Sequence, residues 1–508
     1  MNRSYILPLC LLTAALLLGG CSEPQNTPDP TASPVAVIDS PVPDSVTLFG
    51  ETVKKDAERI TVQMPVDSFA PVEEVLSALP GVREAEIVFS APWSDDVQGY
   101  LAYLAFRDAH PDLNCVERYP QGGSPADTTE LVLPAPVDRL ERLLSSLPAL
   151  QTLTLPSELS REAIASVVDA YPAIRILWTD EAFGASDADA RRLDMTGDPD
   201  PSALAAYLAC FRALETVDLH GCSLSEADGN ALCDAFPDIM FLRNVTLNGV
   251  PTDTGAEELN FDNAEIDSFE AFADALRFFP ALHRLEMNDC SLTNEQLASL
   301  RDRYPEKGVV WTIHIRNYSL RTDSVAFSTK SPGGNPKRLK SADVDALRYC
   351  TDLIALDLGH NDMTDLDFLL PLKNLQLLML ADSRKLEDIS VIGTLTKLKY
   401  LELFMTNVSD ITPLASLSEL LDVNLCITRV VDLSPLLSCK KLERIWIGQQ
   451  TQKYTDAKSL LLLQEAFPNA EFDVVSPSCT GHGWREHARY FAYMEMFDTN
   501  QPVAPFLP

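Results

Sequence analysis

Five times between Leu353 and Ile447 the chain repeats one pattern of leucines: Leu353-Ile-Ala-Leu356-Asp-Leu358, Leu375-Gln-Leu-Leu378-Met-Leu380, Leu398-Lys-Tyr-Leu401-Glu-Leu403, Leu420-Leu-Asp-Val423-Asn-Leu425 and Leu442-Glu-Arg-Ile445-Trp-Ile447. Successive starts lie 22, 23, 22 and 22 residues apart. A unit this short cannot bury its own apolar face, so each copy has to stack on the next and share a continuous core. The LxL triplet supplies a strand whose alternate side chains point inward, and the constant spacing makes neighbouring strands parallel. A chain under this constraint folds as an extended array, and its 508 residues escape the usual division into several closed domains.

The remainder of each unit also aligns, as in Val408-Ser-Asp-Ile411-Thr-Pro413-Leu414-Ala-Ser-Leu417. This resembles the short, internalin-like class of leucine-rich repeats. The resemblance implies a concave parallel sheet and a thin, largely non-helical convex side. Three residues after each LxL it also places a polar residue whose side chain bonds backbone along a buried ladder. Asn361, Ser383, Thr406 and Thr428 stand there. Buried polar groups are costly unless bonded, so their recurrence in register supports such a ladder.

Upstream the strand signature persists with longer spacers. Leu214-Glu-Thr-Val217-Asp-Leu219 and Leu282-His-Arg-Leu285-Glu-Met287 place Cys222 and Cys290 at the ladder position and are followed by the helix-like EADGNALCDAF and EQLASLRDRY. First inward residues are expected at Leu131, Leu153, Leu177, Leu193, Val217, Leu242, Leu259, Leu285 and Trp311, giving modules of 62 to 66 residues. Each module would run strand, helix, strand, helix, strand and a tight return. Leu79-Pro80, Leu147-Pro148, Tyr171-Pro172, Phe236-Pro237, Phe279-Pro280 and Tyr304-Pro305 mark the helix stops, because proline cannot continue a helix. The expected fold class is α/β: a leucine-rich-repeat solenoid with helical spacers over 48–340 and thin spacers over 341–475.

The N-terminus sets the compartment. Arg3 and the apolar stretch Tyr5 to Leu18 read as a signal peptide over 1–20, too short for a comfortable span. Leu18-Gly19-Gly20-Cys21 resembles the lipobox of bacterial lipoproteins, which implies diacylglycerol on the Cys21 thiol and a lipid-anchored, extracytoplasmic location at the bacterial surface. Residues 21–47 are rich in Pro, Ser and Thr, bury little and read as a stalk. Ser331 to Lys340 reads as an exposed loop between the two repeat classes, and 476–508, with five aromatics in CTGHGWREHARYFAYMEMFD, as the C-terminal cap and tail.

Forty Lys and Arg against 74 Asp and Glu leave a net charge of −34, which disfavours nucleic acid as a partner. The sharpest chemical candidate is Cys479 with His482 and His487, three borderline ligands within nine residues where zinc wants about four. The plain alternative is a cap helix with two surface histidines. No GxSxG, HExxH, P-loop or GxGxxG occurs, and no catalytic residue or cofactor is assigned.

The outward positions of the late strands form the most informative constellation. Ala355, Leu377, Tyr400, Asp422 and Arg444 make one row, Asp357, Met379, Glu402, Asn424 and Trp446 the next, and Phe404 lies in a third. Aromatics ringed by charge mark a binding surface, so Asp357, Leu377, Met379, Tyr400, Glu402, Phe404, Asp422, Asn424, Arg444 and Trp446 are the expected ligand residues. The competing reading has this patch covered by the N-terminal half of the chain or by the tail. The expected function is a monomeric, surface-anchored, non-catalytic binding protein for a protein, peptide or glycan. The alternatives are an internalin-like adhesin for host interaction, a metal-binding or enzymatic tail, and a structural envelope component.

Overall fold

A computed structural model describes residues 44–120, 123–329 and 338–503. The signal peptide, Cys21 and most of the stalk therefore lie outside the described residues, as does most of the 331–340 loop. Among the described residues no helix is long and apolar enough to cross a membrane. The chain divides into two compact units, Met1–Thr152 and Leu153–Pro508.

The first unit opens with an antiparallel hairpin, Ser45–Leu48 against Glu51–Lys54, which begins inside the segment read as stalk. Its two-residue turn is Phe49-Gly50, both at positive φ, the geometry that suits the twist of such strands. Strands Arg59–Met64, Glu84–Phe89 and Asn114–Arg118 pair in parallel, with helices Ala70–Ala78 and Val97–Ala109 as crossovers. Alternate strand residues Ile60, Val62 and Met64 are buried, as are Ala85, Ile87 and Phe89 opposite them. Val72, Val75, Tyr103 and Leu104 of the helices are buried too, so the period-2 strand pattern and the helical stripe each supply one side of a core.

In the second unit the helical spacers start and stop where local chemistry dictates. Ser160, Ser225 and Thr293 cap helices Arg161–Ala170, Glu226–Ala235 and Asn294–Arg303, and Thr293 forms a reciprocal capping box with Gln296. Each of these helices ends on the residue before a Tyr-Pro or Phe-Pro pair. Parallel triplets follow: Arg192–Gly197, Thr216–Cys222 and Met240–Leu242, then Glu258–Asn260, Arg284–Glu286 and Val309–Val310. The tight returns are antiparallel hairpins, Asn244–Leu247 with Val250–Asp253 and Thr312–Ile315 with Tyr318–Arg321. Two expected inward residues are off by one. In Arg175–Asp180 the buried apolar side chains are Ile176 and Trp178, not Leu177, and in Met240–Leu242 the buried one is Phe241, not Leu242. A one-residue slip moves a side chain to the other sheet face, and in these strands the larger aromatic takes the core position.

The late repeats form a seven-stranded parallel sheet: Ala326–Ser328, Ala355–Asp357, Leu377–Met379, Tyr400–Glu402, Asp422–Asn424, Arg444–Trp446 and Glu471–Asp473. Its register, Ala355↔Leu377, Leu377↔Tyr400, Tyr400↔Asp422 and Asp422↔Arg444, repeats the sequence period strand for strand. Short 3₁₀ turns such as Ser390–Thr394, Thr412–Ser416 and Ser434–Ser438 make the spacers. Leu356, Leu378, Leu401, Val423 and Ile445 are fully buried in a core shared with Leu369, Ile392, Leu414 and Leu436 of the spacers. Burying each such side chain contributes about 1.5–3 kcal/mol. This stacking is that of a leucine-rich-repeat solenoid. The last spacer departs from the thin pattern, because Gly448–Gln452 and Ala457–Ala466 are α-helical.

Candidate binding surface and its cover

The sheet face opposite the leucine core carries the expected ligand residues, and it is closed. Tyr400, Glu402, Asp422 and Asn424 are 0% exposed, and Leu377, Met379, Phe404, Arg444, Trp446 and Asp357 are buried as well. Of the two readings of this patch, the one with the tail as its cover describes the face, and the expected ligand residues are not open to a ligand. Its apolar members form a second core with Trp484, Tyr490, Tyr493 and Met496 of the tail. The physical reason is that strands with apolar side chains on both faces need a layer on each.

The tail is built to supply that layer. Gly483 at φ 92° and His482 at φ 57° turn the chain before Trp484, and helix Ala488–Thr499 follows with His487 as its N-cap. Tyr490, Tyr493 and Met496 recur three residues apart and so share one helix face, which is the buried one. Trp484 is fully buried, its ring 5.2 Å from both Tyr400 and Trp446. The helix ends at Asn500 in the left-handed region, whose Oδ1 accepts from the Val325 and Ala326 amides at 2.9 and 3.1 Å.

Glu402, Asp422 and Arg444 each find partners in the tail. The Glu402 carboxylate accepts from Tyr400 Oη at 2.6 Å, from Trp484 Nε1 at 2.7 Å and from an Arg485 Nη at 3.1 Å. Arg489 forks onto both oxygens of Asp422 at 2.9 Å. Burial pushes the Asp422 carboxyl above its ordinary range, and the Arg489 guanidinium pulls against it. Arg444 donates to the Gly483 and Trp484 carbonyls at 2.8 and 2.9 Å and lies against the rings of Trp446 and Trp484. Asn424 Nδ2 donates to the Cys479 carbonyl at 2.7 Å. Burial and the neighbouring carboxylate of Glu402 push the Tyr400 phenol well above its usual value.

The ladder positions divide. Asn361, Thr406 and Thr428 each donate to the carbonyl three residues earlier, of Leu358, Leu403 and Leu425, at 3.0, 2.7 and 2.8 Å. Thr451 adds a further rung, its hydroxyl donating to the Leu425 carbonyl at 2.9 Å. Ser383 is fully buried at its position, but its hydroxyl has no hydrogen-bond partner among the described residues. Cys222 and Cys290 are only half-buried, Cys222 as the last residue of a strand. The residue just before each rung sits in the left-handed region: His360, Asp382, Met405 and Ile427 have φ of 60°, 57°, 60° and 56°.

Among the described residues the tail does not bring its candidate ligands Cys479, His482 and His487 together. His482 faces Asp473 at 3.5 Å, His487 accepts the Arg489 amide as a cap, and Cys479 packs against the second core that contains Cys426. Among the described residues no three His, Cys, Asp or Glu side chains converge to hold a metal ion.

The outward positions of the earlier strands carry the charged Arg192, Asp194, Asp218, Arg284 and Glu286 beside the half-buried Met240 and Leu242. Arg192 and Asp194 are half or more exposed, and Arg192 reaches Asp218 at 2.7 Å. Arg284 and Arg321 pair with Glu286 and Asp323 at 2.7 to 3.1 Å. Sequence reasoning offered the tail as a possible cover but did not single out Trp484, Arg485, Arg489, Tyr490, Tyr493 and Met496 as the residues that occupy the late face. The available signal was the density of aromatics and arginines in 484–493 facing acidic and aromatic strand positions.

No family model matches the chain, and no curated protein does. Among solved structures the chain is similar to an internalin of Listeria monocytogenes at 17% identity, covering 62% of this chain and 74% of that one, with a TM-score of 0.26. It is also similar to an internalin C2 of the same organism at 23% identity, over 44% of this chain and 84% of that one, with a TM-score of 0.25. A leucine-rich-repeat protein of Leptospira interrogans matches at 13% identity, over 78% and 91% of the two chains, with a TM-score of 0.23. The parallel register of the late strands is itself that of stacked, equivalent repeats.

Proposed function

We propose that this protein is a lipid-anchored, non-catalytic recognition protein of the bacterial surface, and that it offers the polar outward row of the earlier repeats as its binding face. The contrast between the two rows carries this reading. Tyr400, Glu402 and Trp446 are already occupied by the tail, whereas Arg192 and Asp194 are half or more exposed and Arg284 and, on the adjoining hairpin, Arg321 keep 32% and 40% of their side chains in solvent. Forked guanidiniums alternating with carboxylates suit a polar peptide or glycan, since arginine presents several donors in a fixed plane. Anchoring rests on Cys21 at the end of the signal-like stretch.

The test is capture from native envelope and host extracts by purified protein, comparing wild type with Arg284→Glu/Arg321→Glu and with a chain ending at Gly483. Loss of a specific captured species in the double variant supports the reading. Unchanged capture by that variant, with new capture by the shortened chain, would move the ligand to the late face and make the tail its intramolecular competitor. Failure of Cys21→Ala to abolish labelling by radioactive palmitate would remove the anchor.

A further inference from the structure

Two cysteines meet where the tail crosses the late sheet. Cys426 follows strand Asp422–Asn424 and is 2% exposed, while Cys479, in the segment leading into the tail, packs against the same second core and is half-buried. The two thiols lie close enough that each shifts the titration of the other, Cys426 upward and Cys479 downward. Asn424 holds both backbones: its Oδ1 accepts from the Cys426 amide at 3.1 Å and its Nδ2 donates to the Cys479 carbonyl at 2.7 Å. Gly448 leaves room for the sulfur, since a Cβ there would come within 2.9 Å of Cys426 Sγ. We propose that Cys426 and Cys479 form a disulfide that locks the tail over the late sheet face.

The other thiols are placed differently. Cys210 and Cys439 donate to the carbonyls of Arg161 and Leu414 at 3.3 and 3.1 Å, and burial pushes each of them up to about 11. Cys479 shifts the other way, because the neighbouring Cys426 thiol favours its thiolate, the nucleophile in disulfide exchange. Being half-buried, it is also the member of the pair that a reagent reaches. The oxidant is a small-molecule disulfide. The Cys479 thiolate attacks one of its sulfurs, forming a mixed disulfide and expelling one thiolate. The Cys426 thiol then gives its proton to that thiolate and its sulfur attacks Cys479 Sγ, expelling the second thiolate, which takes a proton from water. Two protein thiols lose two electrons and the reagent gains them as two thiols.

The experiment treats the full reduced chain with oxidised glutathione in mildly alkaline buffer, blocks remaining thiols with iodoacetamide and maps peptides without reduction. A cross-linked peptide joining Cys426 to Cys479 is expected, absent in Cys479→Ser. Separate alkylation of both residues, or glutathione retained on Cys479 with Cys426 alkylated, overturns the proposal. Thermolysin cleavage within 484–499 should also slow severalfold in the oxidised wild type and not in similarly treated Cys479→Ser. A cross-link that leaves tail cleavage unchanged would overturn the locking role.

Discussion

Arg489 and Asp422 form a bidentate pair, both contacts 2.9 Å, with the aspartate fully buried in a parallel strand and the arginine carried by the tail helix. Such a pair is the more expensive to break because one charge stays behind in a low-dielectric site. Arg489→Ala should therefore cost about 3–5 kcal/mol. The loss should appear first as faster hydrogen exchange at 484–499 and at the 422–424 strand, with the first unit unchanged.

Trp446 belongs to packing. It is 3% exposed, its ring lies 5.2 Å from that of Trp484, and its Nε1 donates to the Gly481 carbonyl at 3.3 Å. Trp446→Ala should lower stability by about 3–5 kcal/mol, measured by denaturant midpoint. An unchanged midpoint would mean that the tail does not hold this face closed in solution.

Leu401 sits between coils of the core at 0% exposure. Leu401→Ala should cost about 2–5 kcal/mol, and exchange should quicken in adjacent repeats more than in distant ones.

Ile427 is a β-branched residue at φ 56° and 41% exposed. The left-handed region costs an ordinary L-residue about 1–2 kcal/mol, and asparagine less. Ile427→Asn should raise the melting temperature, with a gain of about 1 kcal/mol.

Asp382 links Arg338, ahead of the late repeats, to the sheet side, accepting from Arg384 Nε at 2.7 Å and from an Arg338 Nη at 2.9 Å. Burial raises its carboxyl, but bonds from Arg384, Arg338 and His360 outweigh this and lower it to about 2. A carboxyl lower in the folded state stabilises fully above its unfolded value of about 3.9, and that stability is lost as pH falls toward 2. Wild type should lose about 1–2 kcal/mol more than Asp382→Asn between those limits, seen by comparing denaturation curves.

The leucine period determined the late sheet, its register and its core, because a repeat places equivalent side chains at equivalent positions without reference to anything distant. Leu356, Leu378 and Leu401 were legible for that reason, and so were the helix stops at Tyr171-Pro172 and Tyr304-Pro305, where a proline acts on its own neighbour. The slips at Ile176 and Phe241 were not, since which of two adjacent apolar residues turns inward depends on the volume left by the neighbouring strands. The closure of the late face was decided by tertiary structure alone. Trp484 reaches Glu402 across 82 residues of chain, and Arg489 reaches Asp422 across 67. No period connects those positions, so the sequence displayed an apolar row with a charged rim and left open whether a ligand or the chain itself would desolvate it; only packing of the aromatic tail helix on the strands answered that.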